Sequence, residues 1–181
     1  MGKVDERIKK GELLINEGKY EDAIVYFENL RQEKPEDPVI LNKLGIIYVY
    51  MKRFDDAERY FYKAIELDKT YPEPYNNIGN IYYEKKDYKR AIEYYKKAID
   101  LNPNYAIAYR NMGAAYKRLG NLDKAVKYFK KATYHEVFSS GDGIFIRRMK
   151  GSSITEKDRW QKYLGFAIIG ISLILFLLLK R

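Results

Sequence analysis

The 181-residue sequence contains no cysteine and a single histidine, His135. The absence of cysteine excludes disulfide bonds, thiolate metal sites and a cysteine nucleophile. No cluster of histidines and carboxylates has the spacing of a metal site, and no glycine-rich phosphate loop follows a strand. We expect His135 to be a solvated side chain and not a general base. The sequence therefore predicts a protein that is not an enzyme, with no catalytic residues, metal, cofactor or small-molecule substrate.

Glycine recurs at a fixed interval of 34 residues, at positions 11, 45, 79 and 113. Alanine and an aromatic residue recur at the same interval: Ala23, Ala57, Ala91 and Ala125, and Phe27, Phe61, Tyr95 and Phe129. A period of this length indicates stacked helical hairpins. Such stacks present an extended surface for binding proteins and not a catalytic pocket.

Residues 72–105 show the repeating unit most clearly. Apolar residues from Tyr75 to Tyr82 follow the spacing of one helical face, and a second such face follows them. Gly79 and Ala91 are small where the two helices are expected to cross. Small side chains at a crossing allow the two helix axes to approach closely.

This pattern resembles the tetratricopeptide repeat (TPR) family, whose units carry a large apolar residue, Leu-Gly, Tyr, Ala, an aromatic residue, Ala and Pro in that order. Residues 38–71 and 106–139 match most of these positions, although Lys69 and Val137 replace the proline. The resemblance implies an all-α superhelix of four helix-turn-helix repeats, residues 4–37, 38–71, 72–105 and 106–139, in a TPR domain of residues 1–137. The alternative is an unrelated helical bundle.

In the TPR family, the first helix of each hairpin lines a concave peptide-binding face. The resemblance therefore implies that a groove contains Asn42, Lys43, Ile46, Asn76, Asn77, Asn80, Arg110, Asn111, Ala114 and Lys117. An asparagine amide offers both a donor and an acceptor to an extended backbone. The alternative is that asparagine at positions 77, 80 and 111 belongs to the family consensus and contacts no ligand.

The charged residues of the groove limit the class of ligand. Arg110, Lys117 and Arg118 favour an acidic ligand segment near the last repeat. The chaperone-tail receptors of the family clamp a C-terminal carboxylate with lysine, asparagine and arginine. The corresponding positions hold Ile8, Glu12, Lys43, Glu73 and Asn77, or, one repeat later, Asn42, Ile46, Asn77, Ile107 and Asn111. Neither set forms that clamp, so we do not expect chaperone tails to bind in this way.

The run from Tyr163 to Leu179 is uncharged and apolar and is followed by Lys180 and Arg181. As a helix it spans about 25 Å, within the range of a bilayer-crossing segment. Its Leu, Ile and Phe residues favour insertion by roughly 4–7 kcal/mol. We predict a linker at 138–153 and a juxtamembrane and transmembrane helix at 154–181, with interfacial residues Trp160, Lys162, Tyr163, Lys180 and Arg181. The alternative, a buried core helix, usually keeps a polar side.

The net charge of +9 is unevenly distributed, from −4 over residues 4–37 to +5 over residues 106–139. The positive charge increases along the chain towards the apolar run, whereas a nucleic-acid binder carries a basic stripe on its folded domain. Six basic residues within 147–162 precede the run and two follow it, which places the repeats in the cytoplasm by the positive-inside rule. The N-terminus shows neither a secretory signal nor a myristoylation motif, and a sortase-type sorting signal needs an export signal that is not visible.

These observations predict a single-pass, tail-anchored TPR scaffold that recruits a protein or peptide segment to the cytoplasmic membrane surface, with its C-terminus on the opposite side. We expect no nucleic-acid partner. Two alternatives remain open. The mitochondrial fission adaptor family also combines TPR-like helices with a C-terminal anchor, although its bundle is shorter and more divergent. The other alternative is a regulatory subunit of a membrane enzyme complex.

Overall fold

The computed structural model describes residues 2–139, and their regular structure is α-helical. Eight helices follow one another: α1 (Gly2–Asn16), α2 (Tyr20–Glu33), α3 (Pro38–Tyr50), α4 (Phe54–Leu67), α5 (Pro72–Glu84), α6 (Tyr88–Leu101), α7 (Ala106–Arg118) and α8 (Leu122–Ser139). Each odd-numbered helix and the next even-numbered one form a hairpin, which gives about four repeats. The all-α superhelix is therefore confirmed for this part of the chain.

The predicted transmembrane helix and all five interfacial residues lie outside residues 2–139. The linker predicted at 138–153 begins too early, because α8 continues to Ser139, and its other residues lie outside the described part of the chain. Among the eight helices described, none combines the length and the apolar composition that a membrane crossing requires.

A glycine in the first helix of each hairpin lies against an aromatic ring of the second. A Cβ atom placed on Gly79 would be 2.6 Å from Cε1 of Tyr95 and 3.2 Å from the carbonyl oxygen of Ala91. The same contact recurs at Gly11 with Phe27, Gly45 with Phe61 and Gly113 with Phe129, at 2.4, 2.5 and 2.9 Å. No side chain fits at these positions unless a ring moves. The close crossing expected at Gly79 and Ala91 is therefore confirmed.

The core is a line of apolar clusters that join each hairpin to the next. Phe27 of α2 packs with Ile40, Leu44 and Ile47 of α3. Equivalent clusters surround Phe61 and Tyr95 in the following repeats. Because each cluster takes residues from two repeats, a single hairpin cannot bury its own apolar face.

Stacked tyrosine pairs form a second contact within three of the hairpins. The ring centroids of Tyr82 and Tyr94 are 5.4 Å apart and nearly parallel. Tyr48 with Tyr60, and Tyr116 with Tyr128, repeat this geometry at 5.3 Å. Aromatic pairs at such distances add to the stability gained from burial alone.

The turn inside each hairpin requires a left-handed residue at one position. Gly18 and Gly120 take φ angles of 74° and 77° there, and Lys52 and Lys86 take 60° and 62°. Glycine reaches this region without a steric penalty, whereas a lysine does so at a cost. The 34-residue interval between these four residues is visible in the sequence. Because two of them are lysines, the sequence does not indicate that all four share this conformation.

The packing at Gly79 leads to a stability prediction. Gly79→Ala places a methyl group against the ring of Tyr95 and lowers the free energy of unfolding by about 1–3 kcal/mol through overpacking. Glu93→Ala, at an exposed position of α6, serves as the control and stays within about 0.5 kcal/mol of the parent. Urea unfolding followed by tyrosine fluorescence measures both. Equal, small effects from the two substitutions contradict the proposed hairpin contact.

Candidate functional site

A groove of about 680 Å³ opens on the side of the stack formed by the odd-numbered helices. Those helices contact one another directly, α3 with α5 and α5 with α7, as well as their neighbours in the chain. The residues that line the groove are Ile46, Val49, Tyr50 and Lys52, Asn77, Asn80, Tyr83 and Glu84, Asn111 and Ala114, with Phe61 and Tyr95 from the second helices. The groove therefore lies on the face predicted to be concave.

Two asparagines join the second repeat to the third. Asn77 donates from Nδ2 to Oδ1 of Asn42 over 2.9 Å. Asn42 in turn donates to the hydroxyl of Tyr71 over 3.2 Å. Only 2% of Asn42 is exposed. A buried amide is costly unless it is hydrogen-bonded, so this chain of bonds stabilises the packing of the two repeats.

A similar network joins the third repeat to the fourth. Asn111 donates from Nδ2 to Oδ1 of Asn76 over 2.9 Å and to Oδ1 of Asn80 over 3.0 Å. The hydroxyl of Tyr95 also donates to Oδ1 of Asn80, over 2.9 Å. Asn76, like Asn42, is only 2% exposed. Each of the two buried asparagines therefore accepts a bond from the following repeat.

These networks determine which amide atoms remain for a ligand. Both N–H groups of Asn111 and both acceptor positions of Asn80 Oδ1 are occupied. The N–H groups of Asn80 and the Oδ1 atoms of Asn77 and Asn111 form no hydrogen bond within residues 2–139. The groove thus offers a donor on α5 and acceptors on α5 and α7.

The predicted groove residues therefore divide into two groups. Ile46, Asn77, Asn80, Asn111 and Ala114 line the groove. Asn42 and Asn76 do not, because they are buried between repeats. The three predicted cations, Lys43, Arg110 and Lys117, are not among the lining residues either. Ligand contact by any of these residues stays a prediction.

Two of the three charged residues predicted for the groove have internal partners that the sequence did not reveal. Lys43 Nζ lies 2.5 Å from Glu12 Oε1. Arg110 forms an ion pair with Glu136 on α8. These partners are far away in the sequence, so no local spacing indicated them. Lys117 is exposed and forms no ion pair among the described residues.

Arg118 is held beside the groove by one of the residues that line it. Its Nε donates to the hydroxyl of Tyr83 over 3.1 Å. Tyr83 lines the groove and packs edge-on against Tyr88, with the ring centroids 5.3 Å apart. Lys117 and Arg118 are therefore the cations of α7 that no carboxylate of residues 2–139 neutralises.

A carboxylate lies near the other charged residues of the inner helices. Glu73 is half-buried, and its Oε2 has no hydrogen-bond partner among residues 2–139. Burial raises the pKa of Glu73, while the charge of Lys43 lowers it. Glu73 therefore holds its proton more tightly in the folded chain than in the unfolded chain. As the pH rises through its pKa, Glu73 ionises and the free energy of unfolding decreases. A ligand carboxylate placed here meets like charge.

The groove position of Tyr50 and the packing of His135 against another ring were not predicted from the sequence. Tyr50, which lines the groove, is 55% exposed and stacks on Tyr20 with the centroids 5.6 Å apart. Its position one turn after Ile46 on α3 was a usable signal. His135 was expected to be solvated, but it is half-buried and stacks on Tyr109 at 4.9 Å.

Family models agree with the repeat pattern. Two models described as tetratricopeptide repeat match residues 38–71 and 106–136, and residues 60–93. A third, described as TPR repeat, matches residues 79–120. Together the three models span residues 38–136.

Solved structures with a similar fold include two crystal structures of MamA. One is 29% identical with a TM-score of 0.62, and covers 76% of this chain and 80% of MamA. The other is 30% identical with a TM-score of 0.59, and covers 74% and 73%. The first TPR of Spaghetti (RPAP3), solved bound to the HSP90 peptide SRMEEVD, is 24% identical with a TM-score of 0.55, and covers 62% and 89%. Among curated protein sequences, no match was found.

The asparagine network leads to a prediction that separates its structural role from packing. Asn76→Ala and Asn111→Ala each lower the free energy of unfolding by about 1–3 kcal/mol, because each leaves a partner unpaired. The double variant lowers the free energy of unfolding by about 1 kcal/mol less than the sum of the two single effects, because both substitutions remove the same hydrogen bond. Urea unfolding of the parent and these three variants measures this coupling energy. Asn76→Ala combined with Glu93→Ala is the additive control, and additivity in both pairs contradicts the network.

Proposed function

The chain belongs to the tetratricopeptide repeat family, and from that premise we propose that it is a membrane-anchored scaffold that recruits a protein partner. An extended segment of the partner lies in the groove between α3, α5 and α7, and residues 163–179 hold the scaffold in the bilayer. TPR proteins are generally non-enzymatic scaffolds that act through protein–protein interaction. The groove and its free amide atoms are the observation that carries the proposal.

The free atoms of the three groove asparagines suit a peptide backbone. An extended backbone presents N–H donors and C=O acceptors in alternation, and Asn80 offers a donor next to the acceptors on Asn77 and Asn111. Because the networks behind these amides already hold them in place, little side-chain freedom is lost on binding. Such contacts recognise a backbone and tolerate many sequences.

An apolar end and a basic flank supply the selectivity of the groove. Ile46, Val49 and Tyr50 form an apolar end on α3. Lys117 and Arg118 follow the lining residue Ala114 on α7 and form a basic flank of the groove, where an acidic portion of the ligand gains most. Arg110, included in this flank on sequence grounds, contributes less because Glu136 already pairs with it.

The RPAP3 structure supports a peptide ligand for this fold, since that protein was solved with one. At 24% identity the likeness extends to the fold alone. The described repeats contain no equivalent of a carboxylate clamp. Lys43 already forms an ion pair with Glu12, and Glu73 adds a second carboxylate. The proposed ligand is therefore an internal segment and not a C-terminal chaperone tail.

The proposed anchor explains how a weak groove contact becomes useful. A scaffold confined to the bilayer raises the local concentration of its captured partner near other membrane components. The support for this anchor is the uncharged run from Tyr163 to Leu179 and the excess of basic residues before it. The same excess supports a cytoplasmic repeat domain.

Blocking the groove tests the site of recruitment. Ala114→Trp fills the groove, and Glu93→Trp adds the same bulk to an exposed position on α6. Partners that co-purify with the full chain in mild detergent are expected to be retained by Glu93→Trp and lost, by about tenfold or more in Kd, from Ala114→Trp. Retention by both variants shows that partners use another surface, and the groove is then not the binding site.

Charging the apolar run tests the anchor. Ile169→Arg with Leu173→Arg adds about 5–7 kcal/mol of insertion cost, which offsets the roughly 4–7 kcal/mol that favours insertion. The parent chain is expected to stay with membranes during alkaline carbonate extraction, and the variant to be released. Release of the parent chain contradicts the anchor. Protease digestion of the repeats from outside intact cells contradicts their orientation.

A further inference from the structure

The outer, even-numbered helices carry lysines at equivalent positions. Lys63 of α4, Lys97 of α6 and Lys131 of α8 follow one another at intervals of 34 residues. Lys96 and Lys130 precede the last two. All five are exposed, and within residues 2–139 the ion pairs involve other cations. Lys97 and Lys131 also lie over the rings of Tyr94 and Tyr109, at 4.8 and 5.4 Å. Because no carboxylate of residues 2–139 neutralises them, all five side chains can still attract an external anion.

The lysines are densest on α8, where Lys124, Lys127, Lys130 and Lys131 are all exposed. Ala125 and Ala132 mark the buried side of this helix, with 3% and 2% exposed. At about 100° of rotation per residue, Lys127 lies nearly opposite Ala125, with the other three lysines on either side of Lys127. The solvent side of α8 is therefore a predominantly basic surface, in which Asp123 is the one exposed carboxylate.

Two exposed apolar side chains border this basic surface. Leu122 is 62% exposed and Val126 is 52% exposed. The equivalent residues of α6, Tyr88 and Ile92, are partly buried in the cluster that includes Met112 of the following helix. A helix that presents apolar side chains beside lysines has the composition of a helix that lies on an anionic lipid surface.

We propose that the outer surface of α8, its four lysines with Leu122 and Val126, docks on anionic lipid headgroups. The proposal rests on the membrane anchor of the proposed function, because that anchor keeps α8 close to a bilayer. About 24 residues separate Ser139 from Tyr163, a reach of roughly 80 Å at most. The groove lies on the opposite, inner helices, so docking leaves it open to the cytoplasm.

The distribution of charge favours a bilayer over an acidic protein as the partner. The net charge rises towards the apolar run, to +5 over residues 106–139. The lysines extend over the three outer helices α4, α6 and α8 and are not gathered around one pocket. A lipid surface presents anionic headgroups continuously and attracts each lysine that comes within a Debye length.

A single probe on α8 tests the docking. The chain has no cysteine, so Thr133→Cys, at an exposed position of α8, carries the only thiol for a fluorescent label. The labelled full chain is reconstituted into vesicles that contain a headgroup-level lipid quencher. We expect quenching to be at least about twofold stronger with phosphatidylserine than with phosphatidylcholine alone. A label on Lys117→Cys, on the inner helix α7, is expected to respond equally to both lipids.

Charge reversal distinguishes the proposed surface from net charge. Lys127→Glu, Lys130→Glu and Lys131→Glu, together with Thr133→Cys, are expected to abolish the difference between the two lipids. Lys9→Glu, Lys34→Glu and Lys69→Glu change the net charge equally at other exposed positions and are expected to leave it intact. No preference for the anionic lipid in the parent chain, or loss of the preference in both triple variants, overturns the proposal.

The docking and the anchor can fail separately. Whether the chain stays with the same vesicles during carbonate extraction measures its insertion. An inserted chain whose probe is not quenched, as expected if α8 binds an acidic protein, overturns the docking and leaves the anchor. In the full chain carrying Ile169→Arg and Leu173→Arg, flotation with phosphatidylserine vesicles at low salt is expected to exceed that with neutral vesicles. Equal flotation overturns the docking even if the anchor is wrong.

Discussion

The contact between a glycine and an aromatic ring sets the geometry on which the rest of this molecule depends. At four positions, 34 residues apart, a methyl group would lie within 2.4–2.9 Å of the ring on the partner helix. The two helices of each hairpin therefore approach as closely as their backbones and one ring allow. Four hairpins with the same crossing stack regularly, which brings α3, α5 and α7 side by side. The groove is a consequence of that stacking.

Hydrogen bonds between asparagines join the inner helices of neighbouring repeats, in addition to the apolar packing. The bonds from Asn77 to Asn42 and from Asn111 to Asn76 each join residues 35 positions apart, one more than the repeat. They connect neighbouring inner helices at a point where a side chain is buried, so an unpaired amide there is costly. The bonded atoms serve the fold and the remaining atoms face the groove. A single asparagine can thus have both a structural and a binding role, and substitution alone does not separate the two.

The sequence predicted the hairpins well because their determinants are local and periodic. Gly79, Ala91 and Tyr95 recur in every repeat, and the helices begin and end where that recurrence places them. The groove was predicted less completely. Asn76 and Asn77 differ by one residue, about 100° around the helix, and only the rotation of α5 against its neighbours decides which is buried. The pairing of Arg110 with Glu136 likewise depends on how two helices lie side by side, which periodicity does not report.

The fold accounts for only two of the four lysines of α8, since Lys124 and Lys131 lie over tyrosine rings and the other two have neither a ring nor a carboxylate partner within residues 2–139. Lys127 and Lys131 are one turn apart, and like charges at this spacing destabilise a helix. On α4, by contrast, Asp56 lies between Arg53 and Arg59 and pairs with both. Because the stability of a repeat stack depends on contacts between neighbouring repeats, charges on its outer helices can vary with little effect on the fold. A run of cations that pairs with no carboxylate of residues 2–139 is accounted for by an anion outside the chain, and the apolar residues beside these lysines favour a lipid surface as its source.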